Sequence, residues 1–218
     1  MDSINYNQLY KLQDKVLDLI FSTEQTFYLT GGTALSRFYI AKRYSDDLDF
    51  FIHNSREFVR SLRNIKYELD REFHLDIEVD SKDFVRLRVD KILQVDFVND
   101  GVMRYKEPKY LENGYIIDNY ENILANKITA VIGRDNPKDI FDIFLIYKNF
   151  ACDWKSILEV AHKKAGFSDD DLIIRLKTFP PALLKSIKLI DTTFLDNFKE
   201  EYNILIKKIE SVMMQNIS

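Results

Sequence analysis

Tyr28-Leu-Thr-Gly-Gly-Thr-Ala-Leu-Ser-Arg-Phe-Tyr-Ile-Ala-Lys-Arg-Tyr-Ser-Asp-Asp-Leu-Asp-Phe-Phe-Ile52 joins a glycine pair, a helix start and two aspartates separated by one leucine. Strand alternation from Asp47 to Ile52 puts Asp47 and Asp49 on one face and Leu48, Phe50 and Ile52 on the other. Two carboxylates beside the first amides of a helix are suited to hold Mg²⁺ and a nucleoside triphosphate together. The stretch points to phosphoryl or nucleotidyl transfer.

Outward from it, the pattern predicts mixed structure followed by helices. Leu9, Leu12, Val16, Leu19 and Ile20 mark an amphipathic helix over 5–22, and Phe27 to Leu29 a short strand. Thr33 to Lys42 reads as a helix, Asp47 to His53 as a strand, and Ser55 to Leu69 as a helix capped by Ser55. From Phe73 the period becomes two: Leu75, Ile77 and Val79, then Val85, Leu87 and Val89, then Leu93, Val95 and Phe97 predict an antiparallel meander. Tyr115 to Ile117 adds a short edge. A helix over 118–132 ends at Gly133, and Asn136-Pro137 starts another that runs to about Lys148. Further helices are expected near 153–165, 168–178, 181–190 and 195–212. The expected class is α+β: a mixed-sheet core over 1–117 and a helical domain over 118–218.

Composition narrows the function. The chain has 218 residues, 46% hydrophobic and 30% charged, as an ordered globular protein should. A net charge of −4 lacks the basic signature of a nucleic-acid binder, although a local basic face can act inside an acidic total. The single cysteine, Cys152, excludes an intramolecular disulfide and a cysteine-cluster zinc site. The start Met-Asp-Ser-Ile-Asn-Tyr is not a signal peptide, and no apolar run approaches the roughly 20 residues that span a bilayer. A soluble cytoplasmic protein without a membrane partner is expected.

Four constellations can carry chemistry. Gly31-Gly32-Thr33 before a helix suits a phosphate, or is only a tight turn; no P-loop or dinucleotide fingerprint is present. Asp47 and Asp49 suit a metal, or form a solvated strand end with Arg43 or Lys42 as partners. Asp96, between Val95 and Phe97, is costly to bury without purpose. It is either a third carboxylate of a two-metal site or a strand carboxylate paired with Arg86 or Arg88. Lys127 and Arg134 share a helix face, and Asp139 and Asp142 start the next helix. They either contact a nucleotide or close on one another as an ion-pair cluster. His53, His74 and His162 lack metal-ligand spacing. The Tyr and Phe residues fall at core spacing, so no base-stacking platform is read into them.

Gly31-Gly-Thr-Ala-Leu35 with Arg37, Ser45-Asp-Asp-Leu-Asp-Phe50, Leu124-Ala-Asn-Lys-Ile-Thr-Ala130 with Arg134, and Lys138-Asp-Ile-Phe-Asp142 together resemble the AbiEii toxin family of the nucleotidyltransferase superfamily. The resemblance spans residues 28 to 147. It implies that Asp47 and Asp49 ligate Mg²⁺ and that Asp96 is the third carboxylate. It implies that Gly31, Gly32 and Thr33 cradle the triphosphate, with Arg37 and Arg134 also on the nucleotide. Lys127 is expected to contact the phosphates and Asp139 to complete the last motif, with Asp142 assisting. The implied function is a toxin of a toxin–antitoxin or phage-defence system that transfers NMP from an NTP to RNA, such as tRNA, with an antitoxin partner. A non-catalytic nucleotide- or antitoxin-binding module and a kinase on the same fold are the alternatives.

Overall fold

Leu48, Phe50 and Ile52 are buried and Asp47, Asp49 and Phe51 between them are half-exposed, the alternation of a strand with one covered face. The computed structural model describes residues 4–215. Strands β1 (Tyr28–Thr30), β2 (Asp47–His53), β3 (Leu75–Asp80), β4 (Phe84–Val89), β5 (Leu93–Asp100), β6 (Lys109–Tyr110) and β7 (Ile116–Ile117) form one sheet in the order β3-β4-β5-β2-β1-β7-β6. The predicted meander is present as β3-β4-β5, antiparallel throughout. β2 then pairs parallel with β5 and antiparallel with β1, and β1 pairs parallel with β7, so the sheet is mixed.

Helices α1 (Tyr6–Thr23), α2 (Gly31–Phe38) and α3 (Phe58–Glu72) accompany this sheet. Phe21 of α1 meets Phe50 edge-on at 5.6 Å, and Phe27 lies between Phe58 of α3 at 5.9 Å and Phe97 at 5.2 Å. Phe50 and Phe97 stack across β2 and β5 at 5.3 Å. One face of the sheet is thereby sealed by α1 and α3, and the face carrying Asp47 and Asp49 is the other.

Several expectations are corrected. Ile116–Ile117 is not an edge: it lies between β1 and β6, and the edge is the two-residue β6, too short to show alternation. At the opposite edge, the meander's Ile77 and Val79 are exposed around a bulge, an irregularity that discourages further strand pairing. Ser55 does not cap α3; its Oγ accepts from the Glu57 amide at 3.1 Å, and the helix begins at Phe58. α2 ends at Phe38 rather than Lys42. Gly133 is the last residue of the helix Tyr120–Gly133 rather than a left-handed cap beyond it.

The chain divides into two units. The first holds the sheet and comprises the chain up to Phe38 with Ser45–Asn119; the second comprises Tyr39–Tyr44 with the chain from Tyr120 onward. Tyr39–Tyr44 thus groups with the helices. Helices α4 (Tyr120–Gly133), α5 (Pro137–Asn149), α6 (Trp154–Lys164), α7 (Asp169–Thr178) and α8 (Phe198–Gln215) form the second unit. Asn136 caps α5 by accepting from Lys138 N at 3.0 Å, with Pro137 in the first turn, as the sequence predicts. The segment expected as a helix over 181–190 is a short 3-10 helix, Pro181–Ser186. No helix among the described residues is long and apolar enough to cross a membrane.

Candidate active site

Strand register gathers the carboxylates of the first unit. Thr30 lies opposite Asp49, Asp49 opposite Asp96, Asp47 opposite Gln94, and Asp96 opposite Arg86. Residues paired in this way project from the same face, so Asp47, Asp49 and Asp96 share the face away from Phe50 and Phe97.

β1 runs directly into α2 at Gly31, whose φ of 71° lies in the left-handed region. A Cβ at Gly31 would sit 2.3 Å from Asp49 Oδ2. Glycine is therefore required twice, for the turn and for the approach of the Asp49 carboxylate to the helix start. Gly32 and Thr33 follow in the first turn of α2, and both are buried. The Thr33 hydroxyl donates to the Asp47 carbonyl oxygen, tying that turn to the first residue of β2. Arg37 turns toward α1: it donates to Gln13 Oε1 at 3.1 Å, pairs with Asp14 and lies 4.7 Å from the centre of the Tyr10 ring.

Asp96 is gripped by a two-pronged guanidinium. Arg86 Nε and Nη2 donate to its two oxygens at 2.8 and 2.7 Å, and Gln94 Nε2 donates at 3.1 Å. The hydrogen bond to Asp96 pushes the Arg86 pKa up. Of the two partners anticipated for Asp96, Arg86 is the one found; Arg88 pairs with Glu78 at 2.8 Å. Asp47 makes no ion pair among the described residues. Thr30 Oγ1 donates to Asp118 Oδ2 at 2.6 Å, a buried contact no sequence pattern announced. Nearby, burial pushes the Tyr28 phenol up and Asp118 adds to the effect, so the hydroxyl stays neutral.

Asp47 and Asp49 offer hard oxygen donors on one half-exposed face, a fit for Mg²⁺. Asp96 is engaged by Arg86, and among the described residues no three His, Cys, Asp or Glu side chains are grouped to hold a metal ion. The donor set therefore fits a two-carboxylate site with Asp96 as an adjacent, guanidinium-bound neighbour.

The remaining predicted residues come together in the second unit. Lys127 Nζ is 2.8 Å from Asp139 and 2.9 Å from Asp142. Arg134 forks onto Asp139 at 2.6 and 3.0 Å. Arg43 Nε and Nη2 hold Asp142 at 2.7 and 2.8 Å. Burial alone would raise the Asp142 pKa, but Arg43 and then Lys127 overcome it and hold the value at about 2. Burial likewise opposes charge on Lys127, yet Asp142 and Asp139 push its pKa up. The ion-pair alternative is thus the arrangement present. Arg43 was missed as a member of it, because a lone arginine between Lys42 and Tyr44 carries no periodic signal.

Comparison with known proteins agrees with this architecture. A 28% identical relative over 177 residues is an uncharacterized protein of Aquifex aeolicus, covering 77% of this chain and 81% of that protein. The crystal structure of JHP933 from Helicobacter pylori superposes with a TM-score of 0.62 at 21% identity, covering 99% of this chain and 97% of the other. A second Helicobacter pylori crystal structure gives 0.63 at 23% identity, covering 97% and 99%. Both share the α+β fold. The family model described as nucleotidyl transferase AbiEii toxin, type IV toxin–antitoxin system, matches residues 19–213. Nearly the whole chain is matched, and it belongs to the AbiEii nucleotidyltransferase toxin family.

Proposed function

We propose that the protein transfers a nucleoside monophosphate from an NTP to the hydroxyl of an RNA acceptor such as tRNA, with Mg²⁺ held by Asp47 and Asp49. The observation that carries this reading is the register that sets Asp47 and Asp49 on one face beside the glycine turn at Gly31. Mg²⁺, when bound, neutralises charge on the phosphate oxygens. The chain's own contribution is positional. Gly31 admits the Asp49 carboxylate to the start of α2, whose first amides lack helical partners and favour anionic oxygens. Thr33 ties this turn to Asp47. Lys127, Arg134, Asp139 and Asp142 serve, in this reading, to hold the helical unit together through their mutual ion pairs. Membership of a toxin family implies an antitoxin partner.

The test is incubation with each α-labelled NTP, Mg²⁺ and total tRNA, with Asp47→Asn as control. Label moving to RNA only with the wild-type protein supports the reading; equal transfer by Asp47→Asn sinks it. The guanidinium on Asp96 favours a second reading, a nucleotide-binding module without turnover. That reading expects NTP-dependent thermal stabilisation with no label transferred. A kinase would move γ-label instead of α-label.

A further inference from the structure

On the carboxylate face, the row of the sheet beside Asp49 and Asp96 is aromatic and apolar. Tyr28 lies opposite Phe51, Phe51 opposite Val98, and Val98 opposite Phe84. Two residues along each strand, roughly 7 Å, separate this row from Thr30, Asp49, Asp96 and Arg86. Phe51, Val98 and Phe84 are half-buried, whereas Phe50, Phe97 and Val85 on the other face are covered. A cation closes each end: Arg104 Cζ is 4.9 Å from the centre of the Tyr28 ring, and Arg86 Cζ is 5.5 Å from that of Phe84. Sequence spacing assigned these rings to the core, but the register puts them on the face with the carboxylates.

Direction along the strands says which partner this row serves. β1 enters Gly31 just past the Thr30–Asp49 pair, so the helix start lies toward Asp47 and the aromatic row lies on the opposite side of Asp49. In an in-line displacement the leaving pyrophosphate and the attacking oxygen occupy opposite sides of the α-phosphorus. With the triphosphate at the Gly31 turn, as the nucleotidyl-transfer reading on which this inference rests requires, the aromatic row is the acceptor side. We propose that Phe51, Val98 and Phe84 form a stacking surface for the terminal base of a single-stranded polynucleotide acceptor.

The base lies on the row and its ribose reaches the carboxylates. The terminal hydroxyl oxygen bonds to the α-phosphorus as the bond to the β-phosphate oxygen breaks; pyrophosphate leaves and the hydroxyl proton passes to solvent. A nucleotide supplies the flat face that aromatic side chains stack, with little dependence on base identity. A serine or threonine acceptor does not.

The experiment measures a short fluorescein-labelled single-stranded oligoadenylate by anisotropy without NTP, and separately the KM values for total tRNA and for NTP. Phe51→Ala is expected to weaken oligonucleotide binding about tenfold and raise the KM for tRNA, with the KM for NTP unchanged. Phe51→Trp retains binding. If Phe51→Ala does not fold, Phe84→Ala gives the same test nearer the sheet edge. Oligonucleotide affinity untouched by either alanine overturns the stacking surface alone. A KM effect confined to NTP, or label transferred to protein rather than RNA, overturns the acceptor assignment. Transfer surviving Asp47→Asn overturns the nucleotidyl reading itself, and the acceptor role with it.

Discussion

The two units each concentrate charge, and they treat it in opposite ways. In the helical unit, Asp139 and Asp142 are fully buried and matched by Lys127, Arg134 and Arg43, so the cluster closes on itself. On the sheet, Asp47 and Asp49 remain half-exposed, while Asp96 is held by Arg86. A buried carboxylate must be paired or it is neutralised, whereas a half-exposed one keeps water and can exchange it for a cation. Charge that closes on itself builds structure; charge left facing solvent is available for chemistry.

Mutations can break this contrast. The largest effect is expected at Asp47→Asn: NMP transfer to RNA falls about 10³-fold while the thermal midpoint stays near wild type, measured by label transfer and calorimetry. Asp142→Ala should do the reverse. It leaves Arg43 and Lys127 buried without their shared carboxylate and is expected to cost about 3–5 kcal/mol in denaturant unfolding. Replacing Arg43, Lys127 and Asp142 together by apolar residues should recover much of that loss, because no charge is then left uncompensated.

The same cluster sets an acid limb. The folded Asp142 pKa of about 2 lies below its ordinary 3.8. Its contribution is therefore present above about 3.8 and is lost as pH falls through about 2. Unfolding monitored from pH 5 downward should show a steep limb there, and Asp142→Ala should flatten it. Lys127, with its pKa raised, contributes in the opposite sense, losing its stabilisation only as strongly alkaline pH is reached. A smaller loss of stability than at Asp142 is expected for Gly31→Ala, about 1–2 kcal/mol from the left-handed φ and the contact with Asp49. Its loss of transfer should exceed what that destabilisation explains, since the displaced group is Asp49; proportionate losses would show that the turn is only structural.

Much was legible because it is local. Alternation at Asp47–Ile52 assigned a face to each aspartate before any partner was known, and Asn136-Pro137 announced the start of α5. Two-residue pieces such as β6 carry no period, so the true sheet edge was not visible. Leu75, Ile77 and Val79 alternate as a covered strand does, yet Ile77 and Val79 are exposed, because burial depends on what packs over a strand and alternation reports only its faces.

By itself the sequence determined the family, the α+β class and the face on which Asp47 and Asp49 stand, all of which follow from spacing along the chain. Only the tertiary structure decided which ion pairs the charged groups make: Asp96 with Arg86, Lys127 with Asp139 and Asp142, Arg43 with Asp142 across 99 residues of chain. It also decided that Phe84 shares the face of Phe51 and the carboxylates. Pairing between strands and helices far apart in sequence is set by packing and register, and neither is encoded in the periodicity of one segment.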